Sequence, residues 1–210
     1  MDFIFQGIAC FQKGGFVMYI LLLCSIFVVS IAIERWFYFR RADSGRDFAM
    51  KYCQALDSDH WPLAKELADS TSGDLALILN AAMKKACKAA KHTASYAEIQ
   101  SGIALANLRN RLYYLSVVVT MAPLLGLLGT ISGMITAFSI FNLQSGQPAA
   151  ITGGIGEALI ATAMGLCVAI IAMMVHAYFI QRLDRIVTDM EQCFSALEAQ
   201  VERGAANETT

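Results

Sequence analysis

Charge is scarce in this chain of 210 residues: Asp, Glu, Lys and Arg together make up 16%, against 57% hydrophobic residues. Such a composition cannot cover an ordinary soluble surface with polar groups and points to a membrane. The formal net charge of −1 gives no basic surface for nucleic acid. The six cysteines form no CxxC pair and show no metal-ligand spacing. They read as structural or incidental thiols of the kind a reducing cytosol tolerates. His60 and His92 have no ligand-like neighbours. No nucleophile–base pair, metal cluster or phosphate loop lies in or beside the apolar runs, which argues against an enzyme and against a metal or other cofactor. A cleavable signal peptide is also missing. The first apolar run is too long, and Trp36 and several arginines follow it where a small-residue cleavage site would stand.

What the chain does have is three long apolar runs. The first covers residues 16–33, close to the length a helix needs to cross ~30 Å of hydrocarbon. Glu34, Arg35, Trp36, Tyr38, Arg40 and Arg41 follow, and an aromatic and cationic end of this kind anchors a span at the interface. The first span is therefore set at 16–40. Glu34 and Arg35 read as a headgroup-level polar pair, with a functional role as the alternative. The second run covers 112–141 and the third 149–180. The link 142–148 is rich in turn formers (Asn142, Ser145, Gly146 and Pro148 among them), so the two runs make a helical hairpin. At about 30 residues each, or ~45 Å of helix, they exceed a bilayer core and must tilt or project beyond it.

Basic residues set the orientation. Of the 16 Lys and Arg, Lys13 alone precedes the first span, and the hairpin link has none. The positive-inside rule then places residues 1–15 and 142–148 in the periplasm, and 41–111 and 181–210 in the cytoplasm. The cytoplasmic region reads as helical, with no strand alternation, internal repeat or low-complexity tract. Ser44-x-x-Asp47, Thr71-x-x-Asp74 and Ser95-x-x-Glu98 match capping boxes. Asp57-Ser58-Asp59 before Pro62 predicts a helix break, and the Ala- and Lys-rich stretch 74–91 favours helix. Beyond Ile180, Leu183, Ile186, Val187, Met190, Phe194, Leu197 and Val201 recur at steps of three and four, an amphipathic stripe continuing the third span. Residues 204–210 are expected to fray.

Between Arg111 and Arg182 the one formally charged residue is Glu157. A charge at mid-membrane costs about 2.5–3.5 kcal/mol on insertion scales, so such residues face a bundle interior or a wet cavity and serve ion movement. The alternative is that Glu157 lies near enough to the outer surface to reach water. Thr130 in span two and Thr162 in span three could hold ordered water beside it, or could simply bond their own helix's carbonyls. Glu157 and Thr162 lie about 140° apart around an ideal helix and do not share a narrow stripe. Small residues form the strongest pattern: Gly126, Gly129, Gly133 and Ala137 on span two, and Ala161, Gly165 and Ala169 on span three. Small-xxx-small spacing lets helix backbones approach closely in lipid, within one chain or between copies. Pro123 removes an N–H and opens a bend in span two. His176 reads as a neutral interfacial residue.

Residues 122–134, running from Ala122-Pro123 through Gly126, Gly129-Thr130 and Gly133-Met134, resemble the AP-x-x-GL-x-GT-x-x-G-[MI] segment of the ExbB/TolQ/MotA proton-channel family. Residues 154–166, with Gly154-Ile155, Glu157-Ala158-Leu159, Ala161-Thr162 and Gly165-Leu166, are similar to that family's GI-x-EAL-x-AT-x-x-GL segment. The three-span layout resembles the ExbB/TolQ branch more than MotA. There are two departures. Gly153 stands where the family often has Pro. Ala169-Ile170-Ile171-Ala172 and His176-Ala177 replace its AIPA and Tyr-Asn, which leaves the exit of span three open.

The resemblance implies an all-α membrane protein of the bacterial inner membrane, with three transmembrane helices and long helical cytoplasmic extensions in a bundle around a central pore. It implies a homopentamer enclosing two copies of a single-span ExbD/TolR-like partner and a TonB- or TolA-like transducer. Thr130, Thr162 and Glu157 match the family's pore threonines and membrane glutamate. The alternatives are a non-conducting scaffold of an envelope complex, or a gliding or flagellar-type stator subunit.

Overall fold

A computed structural model of the chain describes residues 15–86, 90–143 and 148–208. Residues 1–14 of the expected periplasmic segment, 144–147 of the link, Cys10, Cys87 and the last two residues lie outside the described residues. The described residues form seven α-helices and no strand: α1 Gly15–Ala42, α2 Arg46–Asp57, α3 Trp61–Ser70, α4 Asp74–Ala86, α5 Ala90–Arg109, α6 Leu112–Leu143 and α7 Pro148–Glu208. Helix α7 continues through Gly204, where fraying was expected. It also passes through 169–172 unbroken, so the family proline missing there is matched by an uninterrupted helix. The chain divides into two compact units, Met1–Ile33 with Arg111–Tyr178 and Glu34–Asn110 with Phe179–Thr210.

In the first unit, α1, α6 and α7 are the three helices long and apolar enough to cross a membrane. Their side chains are arranged oppositely to those of a water-soluble bundle. Large residues such as Leu23, Leu124, Leu127, Ile135, Leu159 and Met173 lie outside, while Ala122, Ala137, Ala158 and Ala161 are buried. Lipid tails are as apolar as leucine, so the helices gain by close backbone packing rather than by hiding bulk. The two small-residue stripes face each other inside the chain. A Cβ at Gly126 would lie 3.1 Å from Thr162 Cα, and one at Gly165 would lie 2.7 Å from the Ala122 carbonyl and 2.9 Å from Gly126 Cα. Gly133 meets Ala158, Gly129 meets Ala161, and Gly154 abuts Ala137. Helix α6 is continuous across Pro123, whose missing N–H leaves the Val119 carbonyl without its usual intrahelical donor.

In the second unit α2 packs on α3, α3 on α4, and α4 on α5. Phe39, Tyr52, Leu56, Leu79, Met83 and Leu108 are fully buried. The amphipathic stripe of α7 enters this core through Phe179, Leu183, Ile186, Met190, Cys193 and Leu197, while Val187, Phe194 and Val201 are half-buried. The break at 57–59 is present. Asp59 takes a positive φ of 59°, and Pro62 sits in the first turn of α3.

One expectation is corrected here. None of the three capping-box matches caps a helix. Gly45 is the N-cap of α2, Thr71 is the C-cap of α3, and Ser95 lies inside α5. The Ser44 hydroxyl instead accepts the Ala76 N–H at 3.2 Å, serving the first turn of α4. Glu34 and Arg35 form the expected polar pair, and Arg35 is only 4% exposed. Its Nη1 donates to the carbonyls of Asn107 and Asn110, both at 3.2 Å. Nε and Nη2 hold the Glu34 carboxylate at 2.8 and 2.7 Å, and the guanidinium lies 4.5 Å from the Tyr38 ring centre. The last carbonyls of a helix have no intrahelical donor and favour a cation, and Arg35 supplies both needs for α5.

Arg35→Met is expected to lower unfolding stability in detergent by about 2 kcal/mol, with Arg35→Lys recovering only part because one ammonium cannot span both carbonyls and Glu34. Gly165→Ala forces a methyl against backbone and is expected to cost about 1–3 kcal/mol. Gly153→Ala meets nothing within 4 Å and is expected to be neutral or stabilising by up to about 1 kcal/mol. Thermal unfolding of the four variants beside the parent chain checks these expectations.

Candidate functional site

The α6–α7 contact places the polar residues of the first unit. Because Gly126 has no side chain, α7 comes near enough for the Thr162 hydroxyl to donate to the Gly126 carbonyl across the helix pair at 3.1 Å. The Ala158 carbonyl of its own helix is a longer alternative at 3.5 Å. Thr162 is thus engaged with the neighbouring helix more closely than with its own turn. Thr130 behaves in the other way, its hydroxyl donating to the Leu127 carbonyl three residues back at 2.6 Å. Thr120, Thr136 and Ser139 on α6 likewise bond carbonyls of their own helix.

Glu157 is half-buried and points elsewhere. A Cβ built on Gly15 would sit 2.6 Å from Glu157 Oε1 and 3.7 Å from its carboxyl carbon, so the carboxylate lies against the first residue of α1. The start of a helix carries partial positive charge and favours an anion. A side chain at position 15 would push the carboxylate aside, and Gly15 also adopts a φ of +66° that side chains rarely take.

The structure therefore brings Thr162 to α6 and Glu157 to α1, on different faces of α7 as the five-residue spacing requires. Thr130 meets neither of them in a hydrogen bond. Gly126, Gly129, Gly133, Ala161 and Gly165 all lie in the α6–α7 contact, and Ala169 is buried. Sequence reasoning missed Gly154, Ala158 and Gly15. The first two were readable, since 158 and 154 extend the small-residue spacing of α7 by about two turns toward its N-terminus. Gly15 gives no sequence signal, because its role depends on where a residue 142 positions away points. Among the described residues no group of three or more His, Cys, Asp or Glu could hold a metal.

One carboxylate and a cross-helix threonine in an otherwise apolar bundle can hold a proton or order a short file of water. They provide no nucleophile with a base.

The sequence model of the MotA/TolQ/ExbB proton channel family matches residues 71–192. The biopolymer transport protein ExbB-like 1 of Synechocystis sp. is 34% identical over 171 residues, covering 79% of this chain and 67% of that protein. ExbB-like 3 of the same organism is 33% identical over 173 residues, covering 78% and 80%. The Tol-Pal system protein TolQ of Haemophilus influenzae is 37% identical over 84 residues, covering 40% of this chain and 37% of TolQ. Three apolar membrane helices, with both motif segments inside the matched region, make this chain a multi-pass membrane protein that belongs to the MotA/TolQ/ExbB proton channel family.

Proposed function

We propose that the chain is the pore-forming subunit of an inner-membrane motor that converts proton motive force into mechanical work. The observation that carries this reading is Glu157, the one formal charge among the 70 residues between Arg111 and Arg182. A membrane carboxylate is costly enough to be kept for ion movement. In this proposal five copies form a mostly apolar sleeve with rings of Thr130, Thr162 and Glu157. The sleeve encloses two copies of an ExbD/TolR-like single-span partner whose own carboxylate takes the proton. The threonines keep a short water file beside that carboxylate. Protonation neutralises it and lets it pass the apolar sector, and release to the cytoplasm resets it. Each proton crossing the field supplies ~2.3 kcal/mol per 100 mV, several times thermal energy, which is enough to bias a rotation or shift of the partner. The N-terminus lies in the periplasm and the C-terminus in the cytoplasm. The work reaches the envelope through a TonB- or TolA-like transducer, in outer-membrane uptake or envelope maintenance.

Glu157 rests against Gly15 in the single chain, so its part in the path requires the carboxylate to swing from α1 toward the central passage. A second reading draws on that same contact. If Glu157 serves only to tie α7 to α1, the chain is a non-conducting scaffold. Proton flux into vesicles holding the chain with its single-span partner separates the two readings. Glu157→Gln and Thr162→Val are each expected to lower coupled flux at least about tenfold, or ~1.4 kcal/mol in barrier, while the complex keeps its mass. Full flux and transport in both variants would sink the pore assignment, and an intact, active complex with Glu157→Gln favours the scaffold.

A further inference from the structure

Two of the six cysteines, far apart in sequence, meet in the second unit. Cys53 on α2 and Cys193 on α7 lie 140 positions apart, and their sulfurs are 3.8 Å from one another. Cys193 fills a position in the buried seam of α7 and is 0% exposed. Cys53 is half-buried and lines an open cleft of about 590 Å³ with Asp57, Glu191, Gln192 and Ser195. One thiol is therefore reachable by a small solute, and its neighbour is reachable only through it. The Cys193 S–H is 3.8 Å from the Ala49 carbonyl, so the buried thiol has an acceptor while Cys53 donates to its sulfur. When Cys53 loses its proton, the Cys193 S–H can turn to it.

We propose that Cys53 and Cys193 form a reversible dithiol–disulfide site, oxidised by hydrogen peroxide, with Cys53 as the attacking thiol and Cys193 as the resolving one. In the first step the Cys53 thiol gives its proton to solvent, the thiolate attacks one peroxide oxygen, the O–O bond breaks, and the hydroxide takes up a proton from solvent and leaves as water. Cys53 is then a sulfenic acid. In the second step the Cys193 sulfur attacks the Cys53 sulfur, the S–S bond forms, and the S–O bond breaks. The hydroxide leaves with the Cys193 proton as a second water. The two thiols together lose two electrons, and the peroxide gains them. A dithiol reductant returns both electrons and both protons. Bringing the sulfurs from contact to a bond length of about 2.05 Å requires a closure of about 1.8 Å.

The local chemistry favours this order. Hydrogen bonding with Cys193, whose S–H can turn to the Cys53 thiolate, holds the Cys53 thiol below its usual range, against burial and the carboxylates of Asp57 and Asp189, which act the other way. That same bond and burial push the Cys193 thiol up, so it stays protonated until its partner is oxidised. A reducing cytosol keeps the pair open at rest, and the bond forms under peroxide load.

The test uses the full-length chain purified in detergent, with reductant removed and hydrogen peroxide added. Non-reducing peptide mapping is expected to show a Cys53–Cys193 linked peptide with loss of both thiols to alkylation, reversed by dithiothreitol. The half-exposed variant C53S is expected to keep Cys193 as an alkylatable thiol after unfolding, with no linked peptide. The proposal is overturned if peroxide leaves both thiols alkylatable. It is equally overturned if peroxide drives Cys53 to a sulfinic acid while Cys193 stays free, or if it joins Cys53 to a different cysteine. A chain with Cys10, Cys24, Cys87 and Cys167 changed to serine must still form the same link.

Discussion

Helices α6 and α7 touch backbone to backbone, and the polar chemistry of the first unit depends on that approach. A methyl at Gly126 would stand 3.1 Å from Thr162 Cα, so α7 would have to give by a few tenths of an ångström, stretching the bond from the Thr162 hydroxyl to the Gly126 carbonyl. With a methyl at Gly165 the helices would part by a few tenths of an ångström at least. Hydrophobicity cannot supply this contact in lipid, where leucine prefers protein no more than tail. The fit of small residues supplies it instead, and the rotational setting of α7 follows. Once Ala158, Ala161 and Gly165 face α6, Glu157 is turned about 100° away from Ala158 and meets the start of α1.

The fold class was readable because its signals are long and coarse. An 18-residue apolar run needs no tertiary information to be recognised as a span, and both small-residue stripes were visible as spacing. The fine local signals failed. Ser44 matched a capping box for the helix that follows it, yet its hydroxyl serves the first turn of α4, 32 positions later. Arg35 was legible as the partner of Glu34, but its second engagement, with the open carbonyls at the end of α5, was not. In both cases the unread partner is distant in sequence. The site residues divide in the same way. That Glu157 is exceptional is a property of the chain, whereas the direction of its carboxylate depends on Gly15.

The stripe on the distal part of α7 shows a related limit. Counting apolar residues at steps of three and four selected Val187, Phe194 and Val201, which are only half-buried, and passed over Cys193. The buried series from Phe179 through Leu183, Ile186, Met190, Cys193 and Leu197 alternates steps of four and three without exception. A seam with this 3.5-residue repeat accepts any compact apolar side chain, and a thiol qualifies. Cys193 is thus a packing residue by position. It gains redox chemistry only because α2 presents a second sulfur to the same place.

A carboxylate in an apolar bundle has three ways to lower its free energy: protonation, an ion pair, or alignment with backbone dipoles. The first unit contains no Lys or Arg on the described parts of its apolar helices between Gly15 and Ile33 or between Leu112 and Tyr178, so an ion pair within those spans is not available to Glu157. The start of α1 offers the dipolar option, and it does so without fixing the charge as firmly as a cation would. A lysine or arginine beside it would make a stronger tie and hold the carboxylate in place. The proposed path asks the carboxylate to swing away from α1, and a dipolar partner resists that movement less than a cation would. Holding two helices together would not need the charge, since a neutral Gln or a packed Leu would serve with less desolvation.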